Sequence, residues 1–275
     1  MFQIRDTPNI HKSSAELFSL KGKTCVVTGG SSGIGLEIVK AYASFGATIA
    51  IVYNSTPVDE LLDEIRSSYD IEVESFKCDL TKVEQIEELF NKVIARFQKI
   101  DVLVANAGIG WPDGMIHKFD THKELVSKWN AFVTLDLSSI YYCCAFVGKV
   151  FEKQGFGSLI LTASMSGHVI NVPQMQTPYN VAKAGVKQMA KSLAVEWSAF
   201  GNGNVRVNSV SPGYVRTKLT DKMDSALLDK WSSLTPLGRL GSPKELSGAY
   251  VYLASDASTF TTGTDIIVDG GYSSV

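Results

Sequence analysis

Eight residues, Thr28-Gly29-Gly30-Ser31-Ser32-Gly33-Ile34-Gly35, follow the apolar run Thr24-Cys25-Val26-Val27 and lead into a helix-like segment. Strand, glycine turn and helix start in that order make a site for a nucleotide pyrophosphate. Gly29 suits the sharp exit from the strand, Gly33 lets backbone approach phosphate, and Gly35 lets the helix pack close to the sheet. The free N–H groups and dipole of the helix start then face the anion. A second set of residues could move a proton. Tyr179 and Lys183 stand four apart at the start of a helix-like segment, so their side chains share a face. A phenol is a poor acid–base catalyst near neutrality unless a cation stabilises its phenolate, and Lys183 is the natural source of that cation. Ser164 ends the strand-like Leu161-Thr162-Ala163 and can hydrogen-bond a substrate oxygen whose charge changes during hydride transfer. Tyr214 and Lys218 repeat the spacing without such a serine, so the pair alone proves little.

The elements that must position these groups alternate along the chain. Short β-branched runs predict strands at Thr24–Thr28, Thr48–Tyr53, Glu72–Cys78, Val102–Ala105, Ser158–Thr162, Val205–Val210 and Asp265–Val268. Amphipathic segments predict helices at Gly33–Phe45, Val58–Tyr69, Lys82–Phe97, Lys123–Phe151, Tyr179–Phe200, Ser225–Ser233 and Pro243–Ala254. Apolar strands joined by helices specify an α/β fold: a Rossmann-type, doubly wound parallel sheet of about seven strands with helices on both faces. The expected organisation is an arm over residues 1–20 and one dinucleotide-binding catalytic domain over 21–275.

Composition narrows the partners. The 275 residues are 45% hydrophobic and 20% charged with a net charge of −2. Opposite charges are interspersed, which argues against nucleic acid or an anionic membrane as partner and for a small molecule. Met1–Leu20 lacks the apolar stretch of a secretory signal, and no run of 18 or more apolar residues is evident. Cys25, Cys78, Cys143 and Cys144 show no metal-ligand spacing and fit free thiols in a reducing, cytoplasmic setting.

TGGSSGIG at 28–35, the Cys78-Asp79-Leu80 end of the third strand, Asn106-Ala107-Gly108, Ser164 with Tyr179-x3-Lys183, Ser211-Pro212-Gly213 and Val268-Asp269-Gly270-Gly271 occur in sequence order. From about residue 20 onward the chain resembles the short-chain dehydrogenases/reductases. The resemblance implies that Asp79 and Leu80 border adenine and that Asn106, Ala107 and Gly108 pass beside the cofactor's ribose. It also implies that Pro212, Gly213, Val215 and Thr217 hold the nicotinamide end, with Tyr179 and Lys183 reaching cofactor as well as substrate. LTASMSGHVINVPQ, YYCC, TPLGR and DGGY further resemble the ketose and carbonyl reductase branch, which acts on sorbose, xylulose, fructose/mannitol and some prochiral ketones. There are two departures. Asp136, within Leu135-Asp136-Leu137, takes the place of the Asn that often joins the proton relay. Ser164 lies two residues further from Tyr179 than is usual, although Ser166 has the usual spacing.

The second strand runs into Tyr53-Asn54-Ser55-Thr56 with no carboxylate before Asp59. NAD-specific sites place an acid there on the ribose 2′-hydroxyl, so this end favours NADP(H), with Asn54, Ser55, Thr56, Ser31 and Ser32 as donors to a 2′-phosphate. Trp111, Met165, Ser166 and His168 fall on loops at the expected carboxyl edge and are candidate substrate contacts. The expected activity is interconversion of a ketone, in particular a ketose, with its alcohol or polyol. The alternatives are reduction of a 3-oxoacyl thioester or steroid, and, in another class, a catalytically silent NADP-binding regulator. Surplus apolar residues on Lys123–Phe151 and Tyr179–Phe200 suggest self-association as a homodimer or homotetramer.

Overall fold

A computed structural model describes residues 4, 5, 7, 10–217, 220 and 223–275. Chain order is β1 (Thr24–Thr28), α1 (Gly33–Ser44), β2 (Thr48–Tyr53), α2 (Asp59–Ser68), β3 (Val73–Lys77), α3 (Val83–Phe97) and β4 (Val102–Ala105). It continues with α4 (His122–Val133), α5 (Ser139–Gln154), β5 (Gly157–Thr162), α6 (Thr177–Glu196), β6 (Val205–Pro212), α7 (Ser225–Leu234), α8 (Pro243–Ala254) and β7 (Asp265–Val268). The seven strands form one parallel sheet in the order β3-β2-β1-β4-β5-β6-β7.

Alternation along each strand divides the core. Val26 packs on one face with Leu89 of α3, Val147 of α5 and Val186 of α6. Cys25 and Val27 pack on the other with Ile38 of α1, Leu62 of α2 and Tyr250 of α8. Helices cover β1, β4 and β5 on both faces, so these strands are buried at every position: most residues are apolar, and the buried hydroxyls of Thr28, Ser158 and Thr162 are hydrogen-bonded. Leu20 is buried in the second core, and within the expected arm Lys12 pairs with Asp256 while Arg5 donates to the Ser198 carbonyl.

The predicted helix Lys123–Phe151 is present as one helical run from His122 to Gln154, and a π-helical turn over Thr134–Ser138 joins α4 to α5 within it. As a unit, His122–Gln154 is long and apolar enough on average to cross a membrane by length and composition, although Thr134, Asp136, Ser138 and Ser139 interrupt its apolar residues. Its apolar residues have a protein destination: Ile140, Cys143, Val147 and Phe151 are buried in the first core.

Candidate active site

The sheet order reverses between β1 and β4, where a doubly wound fold opens a crevice at its carboxyl edge. The registers Val27↔Val104, Ala105↔Leu161 and Thr162↔Val210 bring neighbouring strand ends level. Thr28 Oγ1 accepts from the backbone N–H of Asn106 (2.9 Å) and Ala107 (3.1 Å), while Asn106 Nδ2 donates to Thr28 O (3.0 Å), fixing the two sides of the crevice. A cleft of about 610 Å³ runs along this edge.

Its first half is built of loop backbone and small polar side chains. It is lined by Gly29 and Ser31–Ile34 after β1, Asn54–Thr56 after β2, Asp79 and Leu80 after β3, and Asn106–Gly108 after β4. Gly35 is the one predicted cofactor residue that does not line it. A Cβ there would run into the Gly29 carbonyl oxygen, so its lack of a side chain lets α1 start directly behind the turn. Asp79 Oδ1 accepts from Thr81 Oγ1 (2.7 Å) and Thr81 N (3.0 Å), which hold its carboxyl below the usual carboxylate range. The exit of β2 presents Asn54, Ser55 and Thr56, all exposed, and no carboxylate. The open glycine turn at a helix N-terminus and these donors fit a dinucleotide with a 2′-phosphate.

Its second half holds the candidate catalytic side chains. Ser164, Tyr179, Lys183 and Asp136 line the cleft, as do Met165, Ser166, Pro212, Gly213, Val215 and Thr217. Lys183, only 4% exposed, sets its Nζ 3.4 Å from the Thr162 carbonyl, 3.4 Å from Asp136 Oδ1 and 5.5 Å from the Tyr179 ring centre. Asp136 is fully buried and also accepts from Ile109 N (3.0 Å). Burial pushes its carboxyl above the usual range, opposed by the Lys183 ammonium and the Ile109 N–H. Asp136 is the buried residue of the π turn Thr134–Ser138. A Cβ at Gly108 would stand 2.7 Å from Asp136 Oδ1 and 3.3 Å from Lys183 Nζ, so glycine makes room for the pair. Ser164 opens a short 3-10 turn, its Oγ accepting from Ser166 N (3.1 Å) and donating to Ser166 Oγ (3.2 Å).

Two expected substrate contacts are corrected. Trp111 is not on the cleft wall: its Nε1 donates to Gly114 O (2.9 Å) and its ring meets Phe132 edge-on at 5.4 Å. Phe132 in turn lies 6.2 Å from the Tyr179 ring, so Trp111 backs the tyrosine instead of facing substrate. His168 turns away towards β7, where Nε2 lies 2.6 Å from Asp265 Oδ2 and Nδ1 lies 3.3 Å from Lys187 Nζ. A buried carboxylate outcompetes the cleft for that ring. Tyr214 lines the cleft and stacks on Trp231 at 4.1 Å, while Lys218 lies outside the described residues. Asn171, Gln174, Gln176 and Trp231 also line the cleft and were not anticipated. The stretched interval between Ser164 and Tyr179 was the only signal of the three amides, and Trp231 had none.

The family profile described as enoyl-(acyl carrier protein) reductase matches residues 29–273. The chain is 48% identical over 265 residues to a probable NADP-dependent mannitol dehydrogenase of Yarrowia lipolytica, covering 96% of this chain and 92% of that protein. It is 46% identical to a sorbose reductase of Candida albicans with the same coverage. The crystal structure of an NADPH-dependent 3-quinuclidinone reductase from Rhodotorula rubra superposes with a TM-score of 0.89 at 36% identity, covering 98% of this chain and 97% of that one. With this fold, this cleft and these matches, the chain belongs to the short-chain dehydrogenase/reductase family of oxidoreductases.

Proposed function

We propose that the protein is an NADP(H)-dependent reductase/dehydrogenase that interconverts a ketose of the sorbose, xylulose or fructose type with its polyol. The observation that carries the reading is the cluster Ser164, Tyr179 and Lys183 on one cleft whose cofactor end offers hydroxyl and amide donors and no carboxylate at the β2 exit. The names of the mannitol dehydrogenase and sorbose reductase relatives support the substrate class. NADP(H), when bound, supplies or accepts the hydride. During reduction the Tyr179 hydroxyl gives its proton to the substrate carbonyl oxygen, and in the reverse direction its phenolate takes the proton from the alcohol. Ser164 Oγ donates a hydrogen bond to the same oxygen as negative charge gathers there. The Lys183 ammonium stabilises the phenolate left on Tyr179, and Asp136 is a positioning residue that holds the ammonium.

We propose further that the protein works as a homodimer or homotetramer in the cytoplasm. Trp129, Tyr141, Val181 and Val195 remain exposed on α4, α5 and α6, a distribution suited to a second subunit. The four cysteines are buried and free, which suits a reducing compartment. The catalytic reading is tested by following NADPH absorbance with ketoses, polyols with NADP, aryl ketones and 3-oxoacyl thioesters. Ketoses should give the highest kcat/KM, and a preference for acyl thioesters would overturn the assignment.

A further inference from the structure

The wall of the cleft beyond Ser166 carries more polar chemistry than reduction of one carbonyl needs. Gln176 is 5% exposed and Asn171 is 1% exposed, yet both line the cleft. Gln176 Nε2 donates to Asn171 Oδ1 (2.9 Å) and lies 3.2 Å from Ser166 Oγ, and Asn171 Nδ2 donates to Tyr214 OH (3.0 Å). These bonds orient the amides and leave Gln176 Oε1 without a donor among the described residues. Burial raises Tyr214 well above a free phenol, so it stands there as a neutral hydroxyl. Behind it lies Trp231, 1% exposed, lining the same cleft with an indole N–H that has no acceptor among the described residues. Buried donors are nearly always paired, and an unpaired one is costly.

We propose that Asn171, Gln176, Tyr214 and Trp231 form a subsite that reads hydroxyl groups of the substrate beyond the carbonyl being reduced. A hydroxyl both donates and accepts, so it can give its proton to Gln176 Oε1 and present a lone pair to an N–H or O–H donor. A plain ketone tail can do neither. A site built to bond hydroxyls rejects analogues that lack them, because its buried polar groups are then left unmatched. The subsite therefore selects a polyhydroxylated chain on the carbon skeleton next to the reacting centre. This inference rests on the ketose reading above and explains how the cleft would enforce it.

The test compares NADPH-dependent kcat/KM for D-fructose and L-sorbose with that for cyclohexanone, in the natural enzyme and in Gln176→Leu and Trp231→Phe. Calorimetric binding of D-mannitol to the same proteins gives a second readout. Loss of one neutral hydrogen bond should lower the ketose-to-cyclohexanone ratio by about 3- to 10-fold in each variant and weaken mannitol binding to match. Trp231→Phe keeps an aromatic ring against Tyr214 and carries the test if the glutamine variant does not fold. Ratios and mannitol affinities unchanged within about twofold, in an enzyme that prefers ketoses, would overturn the subsite alone. A natural enzyme that turns over cyclohexanone better than either ketose would instead refute the ketose reading.

Discussion

Replacing Asp136 separates two roles that its position combines. With Oδ1 3.4 Å from Lys183 Nζ, Coulomb attraction at an effective dielectric near 20 is about 5 kcal/mol. Taking both charges out of water costs several kcal/mol per ion, so the pair as a whole gives little net stability. That balance agrees with the direction in which the carboxyl is shifted: burial outweighs the ammonium. Asp136→Asn keeps an oxygen for the Ile109 N–H and for Lys183, and stability should stay within about 1 kcal/mol of the natural protein. Asp136→Leu leaves the N–H unmatched and a buried ammonium without its partner, a loss of roughly 3–5 kcal/mol and a fall in Tm on the order of 10 °C. The pH dependence has a definite sign. A carboxyl raised in the folded state contributes stability that is complete below its unfolded value near 4 and is lost as pH rises through the raised value. The asparagine variant does not titrate there, so its Tm relative to the natural protein should climb as pH rises from about 4. Scanning calorimetry across that range checks this, with turnover showing whether Lys183 is still held. A difference that shrinks as pH rises, or a leucine variant as stable as the asparagine one, would refute the reasoning.

Four further outcomes are expected. Tyr179→Phe and Lys183→Ala should each lower turnover by about 10²–10⁴, whereas Tyr214→Phe, losing one neutral hydroxyl, should cost ketose kcat/KM no more than about tenfold; equal losses in steady-state assays would mean that the acid–base tyrosine is misassigned. Ser164→Ala should impair turnover more than Ser166→Ala, because Ser164 stands two residues past the end of β5 on the cleft while Ser166 bonds Gln176 on the subsite side; the opposite ranking transfers the oxygen-binding role to Ser166. NADPH should give a higher kcat/KM than NADH, and Ser55→Asp should erase or reverse that preference by placing like charge beside a 2′-phosphate; better use of NADH by the natural protein defeats this account. Sedimentation at micromolar concentration should show a dimer or tetramer, and a stable, active monomer would refute the assembly.

The sheet was legible because its physics is local. The apolar runs of β1, β2 and β4 mark strands covered on both faces and fall on the residues the sequence predicts, as does β7, a partly exposed edge strand. The glycine turn was legible for the same reason: a backbone that leaves a strand with positive φ at Gly29 and approaches the next helix without side chains leaves a compositional trace. Helix ends were less exact. Tyr179–Phe200 gives way after Glu196 to a 3-10 turn that breaks at Phe200, whose φ/ψ are extended, and apolar periodicity does not encode that change of helix type.

What escaped the sequence is contact between groups far apart in the chain. The spacing of Tyr179 and Lys183 places them on one helical turn, but nothing within that turn says that the ammonium will meet a carboxylate from a π turn 47 residues upstream. Trp111 and His168 show the converse. Both have the residue type and loop position of a substrate contact, and both are drawn elsewhere by partners that only the fold supplies: Phe132 for the indole, Asp265 for the imidazole. Their places on the cleft are taken by Asn171 and Gln176, amides on the loop leading to the Tyr179 helix, and by Trp231 from a helix more than 50 residues later. The chemistry next to the backbone motifs is thus written into local sequence, while the part of the cleft that would choose a substrate is assembled from long-range neighbours. That division is why the proton-transfer assignments and the hydroxyl subsite require separate mutants: Tyr179→Phe should fail on every carbonyl substrate, and Trp231→Phe should fail selectively on hydroxylated ones.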